Sequence, residues 1–142
     1  MTTESQTETQ AAPAHTDTDT RAERAAIPAA AGLSYRIDSF HVPAAARGEF
    51  EAAMRRNMGF LTTLPGYVQH LVFEKAGGPT AFNVVTVATW ASREAHERAA
   101  ARVRAYYAEI GFDAAALMAR LGITGEIGDF VAPVALQTGS AS

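Results

Sequence analysis

Cysteine is absent from all 142 residues. That excludes disulfide frameworks, thiol nucleophiles, iron–sulfur clusters and thiolate-bound zinc. A metal site would have to be drawn from four histidines (His15, His41, His70, His96) and scattered carboxylates. A basic excess is lacking too: 12 Lys and Arg face 15 Asp and Glu, a formal charge of −3, so no nucleic-acid partner is expected. No apolar run reaches the roughly 18 residues that span a bilayer. The first ten residues, MTTESQTETQ, carry neither the basic nor the apolar stretch of a secretory signal. The expectation is a soluble, cytoplasmic protein without a membrane partner. Nucleotide motifs are missing as well: Gly122, Gly125 and Gly128 have the wrong spacing for G-x-G-x-x-G, and no P-loop occurs. The run from His96 to Ala100 lacks the second histidine of H-E-x-x-H. Neither a nucleotide nor a metal cofactor is expected.

What charge there is divides unevenly. Residues 1–32 hold five acids and two bases, whereas residues 33–142 hold ten of each. The leader has no aromatic residue, and Met1 and Ile27 are its only large apolar side chains. Burial there cannot offset the entropy of ordering, so residues 1–32 are predicted to be a disordered acidic tail, with at most a short helix near Thr20–Ala26. The folded unit is placed at residues 33–133 and a C-terminal tail at 134–142.

Within that unit, Leu33–Val42 is rich in β-formers and stops at Pro43, which cannot continue a ladder. Next, Phe50, Ala53, Met54, Asn57, Met58, Leu61 and Leu64 recur at helical spacing, the apolar stripe of an amphipathic helix. Pro65-Gly66 breaks it. Tyr67–Lys75 and Ala81–Trp90 read as a hairpin across the loop 76–80. Ser92 is an N-cap, with Glu94 in the favourable first turn of a helix running from Arg93 to Ile110. Asp113 caps a shorter helix, Ala114–Leu121, which Gly122 ends, and a last strand covers Gly125–Ala132. The order β-α-β-β-α-(α)-β is the ferredoxin-like split unit, an α+β fold with helices on one face of a four-stranded antiparallel sheet.

The other face poses a problem. Along Ala81–Trp90, Phe82, Val84, Thr86, Ala88 and Trp90 share one side and Asn83, Val85, Val87 and Thr89 the other. A half-solvated strand should alternate apolar with polar, yet this one is apolar on both sides. Tyr67–Lys75 behaves likewise, with Tyr67, Leu71 and Phe73 opposed to Val68 and Val72. Two main helices cover one face only. Covering the other with a second copy predicts a homodimer joined through its sheets.

F-x-V-P (Phe40–Pro43), a helix ending in L-P-G-Y (Leu64–Tyr67), the two-faced hairpin and T-W-A-S-R-E-A-H (Thr89–His96) together resemble the antibiotic biosynthesis monooxygenase family, over about Tyr35 to Phe130. The resemblance implies a dimeric ferredoxin-like α/β barrel. It also implies one of several activities: cofactor-free oxygenation of polyphenolic polyketides, quinol oxygenation, or haem degradation. The haem-degrading branch uses an Asn on the first strand and a Trp and a His on the second main helix; the matching positions here are Asp38, Ala99 and Glu109, and all three differ. The cofactor-free oxygenases use an Asn and a Trp on the third strand and a Tyr early in the next helix, matching Thr86, Trp90 and His96. Only the Trp is kept. The resemblance therefore implies a cofactor-independent monooxygenase acting on a small electron-rich aromatic such as a phenol, quinol or anthrone. The alternative is a non-catalytic dimeric barrel that binds a small molecule or serves as a stress-related module.

Each candidate residue has a plain reading beside the chemical one. Trp90 is a hydrophobic plug or a stacking wall for an aromatic ring. His96 is a hydrogen-bonded core residue or the acid–base group, since an imidazole accepts and donates protons near neutral pH. Thr86 or Asp38 would bond a substrate oxygen, and Asp38 is otherwise a solvated edge charge. Tyr106 and Tyr107 are adjacent, so only one can point fully inward to orient a substrate. Phe82 falls on the inward face of its strand and joins the substrate-binding set. His41 and His70 read as rim or interface residues without an assigned role.

Overall fold

The computed structural model describes residues 32–137; the predicted helix at residues 20–26, His15 and nearly all of the acidic tail lie outside them. Residues Gly32–Val131 form one body. Its elements are β1 (Ser34–His41), α1 (Arg47–Leu61, entered through a 3-10 turn at Ala44–Ala46), β2 (Tyr67–Glu74), β3 (Val84–Trp90), α2 (Arg93–Ile110), α3 (Ala114–Leu121) and β4 (Thr124–Phe130). The strands lie in the order β2-β3-β1-β4 with every neighbouring pair antiparallel, the ferredoxin-like arrangement. The sheet is open, with β2 and β4 as its edges, so one chain alone makes no barrel. Residues 132–137 are not part of that body and hold a 3-10 turn at Val134–Leu136.

The helix limits follow from local chemistry. Ser92 Oγ accepts from the Ala95 N–H at 3.0 Å and Asp113 Oδ1 from the Ala116 N–H at 3.0 Å. Each satisfies a donor that a helix start leaves without a partner. Both helices end on left-handed glycines, Gly111 (φ 69°) and Gly122 (φ 71°). At Gly66 (φ 84°) a Cβ would stand 2.4 Å from that of Ala95, so the turn before β2 meets the first turn of α2 at a distance only glycine permits.

Two sequence expectations need correction. β3 starts at Val84, not Ala81, because the Asn83 carboxamide takes over a rung of the ladder: its Oδ1 accepts from Val42 N–H at 2.8 Å and its Nδ2 donates to the Val42 carbonyl at 2.9 Å. Phe82 is therefore in the loop and not on the inward face of a strand. In β2 a register shift between Tyr67 and Gln69 turns Tyr67 to the Trp90 side, away from Leu71 and Phe73.

The helix-covered face is closed at its two ends by separate apolar clusters. Phe40, Val42, Phe50, Val84 and Ile123 fill one; Leu64, Trp90 and Ala99 form the other. On the opposite face the pairing puts Tyr35 and Ile37 of β1, Val85 and Val87 of β3, and Leu71 and Phe73 of β2 together. Leu71 is 42% and Phe73 50% exposed there.

Candidate active site

Between the two apolar clusters the sheet turns polar. Strand alternation sends Arg36 and Asp38 of β1, Thr86 and Ala88 of β3, and His70 of β2 to the same face, with Asp38 opposite Thr86 and His70 opposite Ala88. Ala88 is small, and above it lies a cavity of about 280 Å³ roofed by α2 through His96, Val103 and Tyr107. Arg104 borders it as well. A second cavity of about 210 Å³ adjoins it toward α1 and α3, sharing Arg36, Asp38, Leu61, Thr86 and Tyr107 and, apart from Asn57, otherwise walled by apolar groups such as Phe40, Met54 and Met118. The hollow thus has a polar lobe and a greasy one.

Trp90 closes the end of the polar lobe. It is 2% exposed, meets Tyr67 edge-on (5.8 Å between centroids, 77°) and lies nearly parallel to His96 (6.1 Å, 19°). His96 is buried: Nδ1 is hydrogen-bonded to Ser34 Oγ at 2.6 Å, and Nε2 lies 3.5 Å from Asp129 Oδ1 without a hydrogen bond. A proton on Nε2, toward the carboxylate, leaves Nδ1 to accept from the Ser34 hydroxyl. Burial lowers the His96 pKa, against the pull of Asp129. Ser34 is itself 1% exposed, so this Ser–His–Asp trio offers no accessible nucleophile.

Asp38 accepts from Arg36 Nε at 2.6 Å, yet burial outweighs the guanidinium and raises its pKa. His70 is half-buried, and burial lowers its pKa while Asp38 pulls it back up. Its Nδ1 is buried without a hydrogen-bond partner. Tyr107 borders both lobes, and burial raises its pKa.

Of the residues singled out from sequence, the fold brings Asp38, Thr86, Trp90, His96 and Tyr107 around one hollow. Tyr106 stacks on Phe60 instead (4.0 Å, 5°) and borders neither lobe, and Phe82 borders neither as well. Ala99 lines the hollow, whereas Glu109 is exposed and does not. Sequence reading missed Arg36 and His70 as lining residues. The parity of Arg36 with Asp38 was available as a signal; the β2 irregularity blurred that of His70. Among the described residues no three His, Asp or Glu gather as metal ligands, and no helix is long and apolar enough to cross a membrane.

An antiparallel ferredoxin-like sheet with an ionisable hollow beneath its helices defines an α+β protein of the ferredoxin-like class. The family model described as antibiotic biosynthesis monooxygenase matches residues 35–105, and the chain belongs to that family. Solved structures agree. SnoaB, a cofactor-independent oxygenase from Streptomyces nogalater, is 26% identical, with a TM-score of 0.55 over 76% of this chain and 97% of that one. A variant of SnoaB gives 29% and 0.56 over the same shares. The fold is also similar to that of the haem-degrader MhuD from Mycobacterium tuberculosis (24% identity, TM-score 0.50, 75% of this chain and 99% of that one). No curated protein sequence matches.

Proposed function

We propose that this protein is a cofactor-independent monooxygenase of a small electron-rich aromatic (a phenol, quinol or anthrone), working as a cytoplasmic homodimer. The observation that carries the reading is the half-polar hollow, which combines an aromatic wall at Trp90 with proton-handling groups and an apolar lobe for the rest of a fused-ring substrate. Such a lining suits a compound that must be bound dry yet lose a proton. Thr86 and Asp38 bond its oxygen, Tyr107 orients it, and a cavity imidazole, with His96 the one expected from sequence, takes its proton. The resulting anion reduces O₂ directly. For an anthrone methylene, one oxygen atom ends in the new carbonyl and the other in water, which also carries away both methylene hydrogens. The 26% identity to a cofactor-independent oxygenase supports this reading.

The homodimer is proposed from the exposed apolar face holding Leu71, Phe73 and Phe130. A second copy laid on that face hides the surface and leaves each hollow intact. Oxygen uptake by metal-stripped protein, offered a series of hydroquinones and anthrones, is the test. Uptake that scales with protein is expected; none across the series would overturn the proposal.

A further inference from the structure

An aromatic that loses a proton in the hollow becomes an anion, and that charge is best met by a cation fixed in place beforehand. Neither histidine supplies one: burial lowers the pKa of both His70 and His96, so their rings are neutral near neutral pH. The permanent cations bordering the two lobes are Arg36 and Arg104. Arg104 is exposed and borders the polar lobe alone. Arg36 is half-buried and borders both.

Strand pairing explains that placement. Arg36 lies opposite Ala88, whose small side chain leaves open the space above it that the cavity occupies. Its guanidinium is tied on one side only. Nε donates to Asp38 Oδ1 at 2.6 Å, while the two terminal nitrogens make no hydrogen bond among the described residues. A guanidinium held by one arm keeps a planar pair of donors for a second oxygen. Its charge bears on Asp38, His96 and Tyr107, which line the hollow from β1 and α2.

We infer that Arg36 is a further catalytic residue, holding the substrate oxyanion, and that the hollow selects aromatics whose reacting oxygen ionises. This rests on the oxygenase reading above. In the step, the substrate O–H bond breaks, its electron pair stays on oxygen, and the proton passes to the cavity imidazole. The new charge on oxygen faces the terminal nitrogens of Arg36. The other charged or titratable groups around it are Asp38 on its own strand, Asp129 opposite it on β4, His70 of β2, and His96, Arg104 and Tyr107 of α2. From β3, α1 and α3 no charged side chain reaches the walls of either lobe. Asp38 is the carboxylate bonded to Arg36, and burial disfavours its charge. Asp129 lies instead 3.5 Å from His96.

The test uses the full chain and 2-hydroxyanthraquinone, a probe already oxidised, whose ionisation shows as a colour change. Bound to wild type, the probe is expected to ionise at least about tenfold more readily than in water, so the colour changes at lower pH. Arg36→Gln should abolish that gain and Arg36→Lys restore part of it, while Arg104→Gln should cost less than about fivefold. The double variant Arg36→Gln/Asp38→Asn removes the carboxylate that the single variant leaves alone, and it too should lose the gain. In oxygen uptake with 1,8-dihydroxyanthrone, Arg36→Gln is expected to lower kcat by roughly 10²–10³-fold. The wild-type reading stands even if a variant fails to fold. No gain in wild type overturns the inference. So does a double variant that ionises the probe like wild type, which would confine Arg36 to balancing Asp38. An equal loss in Arg104→Gln, or failure of the probe to bind, overturns it as well, and oxygen uptake then judges the oxygenase reading separately. A gain that depends on Arg36 without any oxygen uptake keeps the inference and removes the oxygenase reading.

Discussion

The two faces of this sheet are built from alternate residues of the same strands, yet they hold opposite chemistry. Toward the helices, β1 and β3 present Arg36, Asp38, Thr86 and Trp90; away from them, the same strands present Tyr35, Ile37, Val85 and Val87. Between its apolar ends the sheltered face carries charges, and the middle of the open face of the single chain is apolar. That inversion is the reverse of what a solvated sheet adopts. It makes sense if the inner face serves a ligand and the outer face serves a second copy.

The outer face is the easier half to break. Phe73→Asp would place one uncompensated charge per copy in the proposed interface, about 3–5 kcal/mol each. Sedimentation is expected to show a shift from dimer to monomer with secondary structure retained, and an unchanged mass would remove this face from the contact. On the inner face, Trp90→Ala deletes a 2%-exposed ring from the Leu64–Ala99 cluster and should cost about 3–5 kcal/mol in denaturant unfolding. A loss under about 1 kcal/mol would mean that the ring packs on little.

Acid tests the inner face more gently. Burial lowers the pKa of both His70 and His96, so the folded state prefers neutral rings. Their contribution is present above the ordinary value of about 6.5 and is lost as pH falls through the lowered values. Asp38, raised by burial, works in the opposite sense: its contribution is present at acid pH and fades as pH rises through the raised value. The Tm is expected to drop between about pH 7 and about pH 5, and to drop less in the His70→Gln/His96→Gln double variant. An equal drop in both would assign the acid sensitivity elsewhere. The smallest effect belongs to the wet side of α2, where Glu97→Ala removes an exposed pair with Arg93 at 3.2 Å. It should change stability by less than about 0.5 kcal/mol, and a larger loss would show that Glu97 does more than meet solvent.

Local rules read from sequence fixed the limits of α2 and α3, because Ser92, Asp113, Gly111 and Gly122 act on neighbours a few residues away. They failed where a distant partner intervened. Asn83 could not be recognised as a substitute rung until Val42 was beside it. The Tyr67 side depended on a register shift that no alternation count reveals. The choice between Tyr106 and Tyr107 was settled by Phe60, which offers Tyr106 a stacking partner outside the hollow. Asp38, Thr86, Trp90 and His96 could be named as candidates in advance from the positions that the family resemblance marked, although only Trp90 keeps the family's residue. His70 could not, since its meaning depends on an empty space.

The contact at Gly66 sets the headroom of that space. Because the glycine has no methyl to hold Ala95 off, the opening turn of α2 settles directly onto the chain before β2, and His96, the next residue, arrives at a fixed height above the floor. A single added carbon would act as a shim under the helix, tilting the lid and resizing the chamber without touching any residue that faces it.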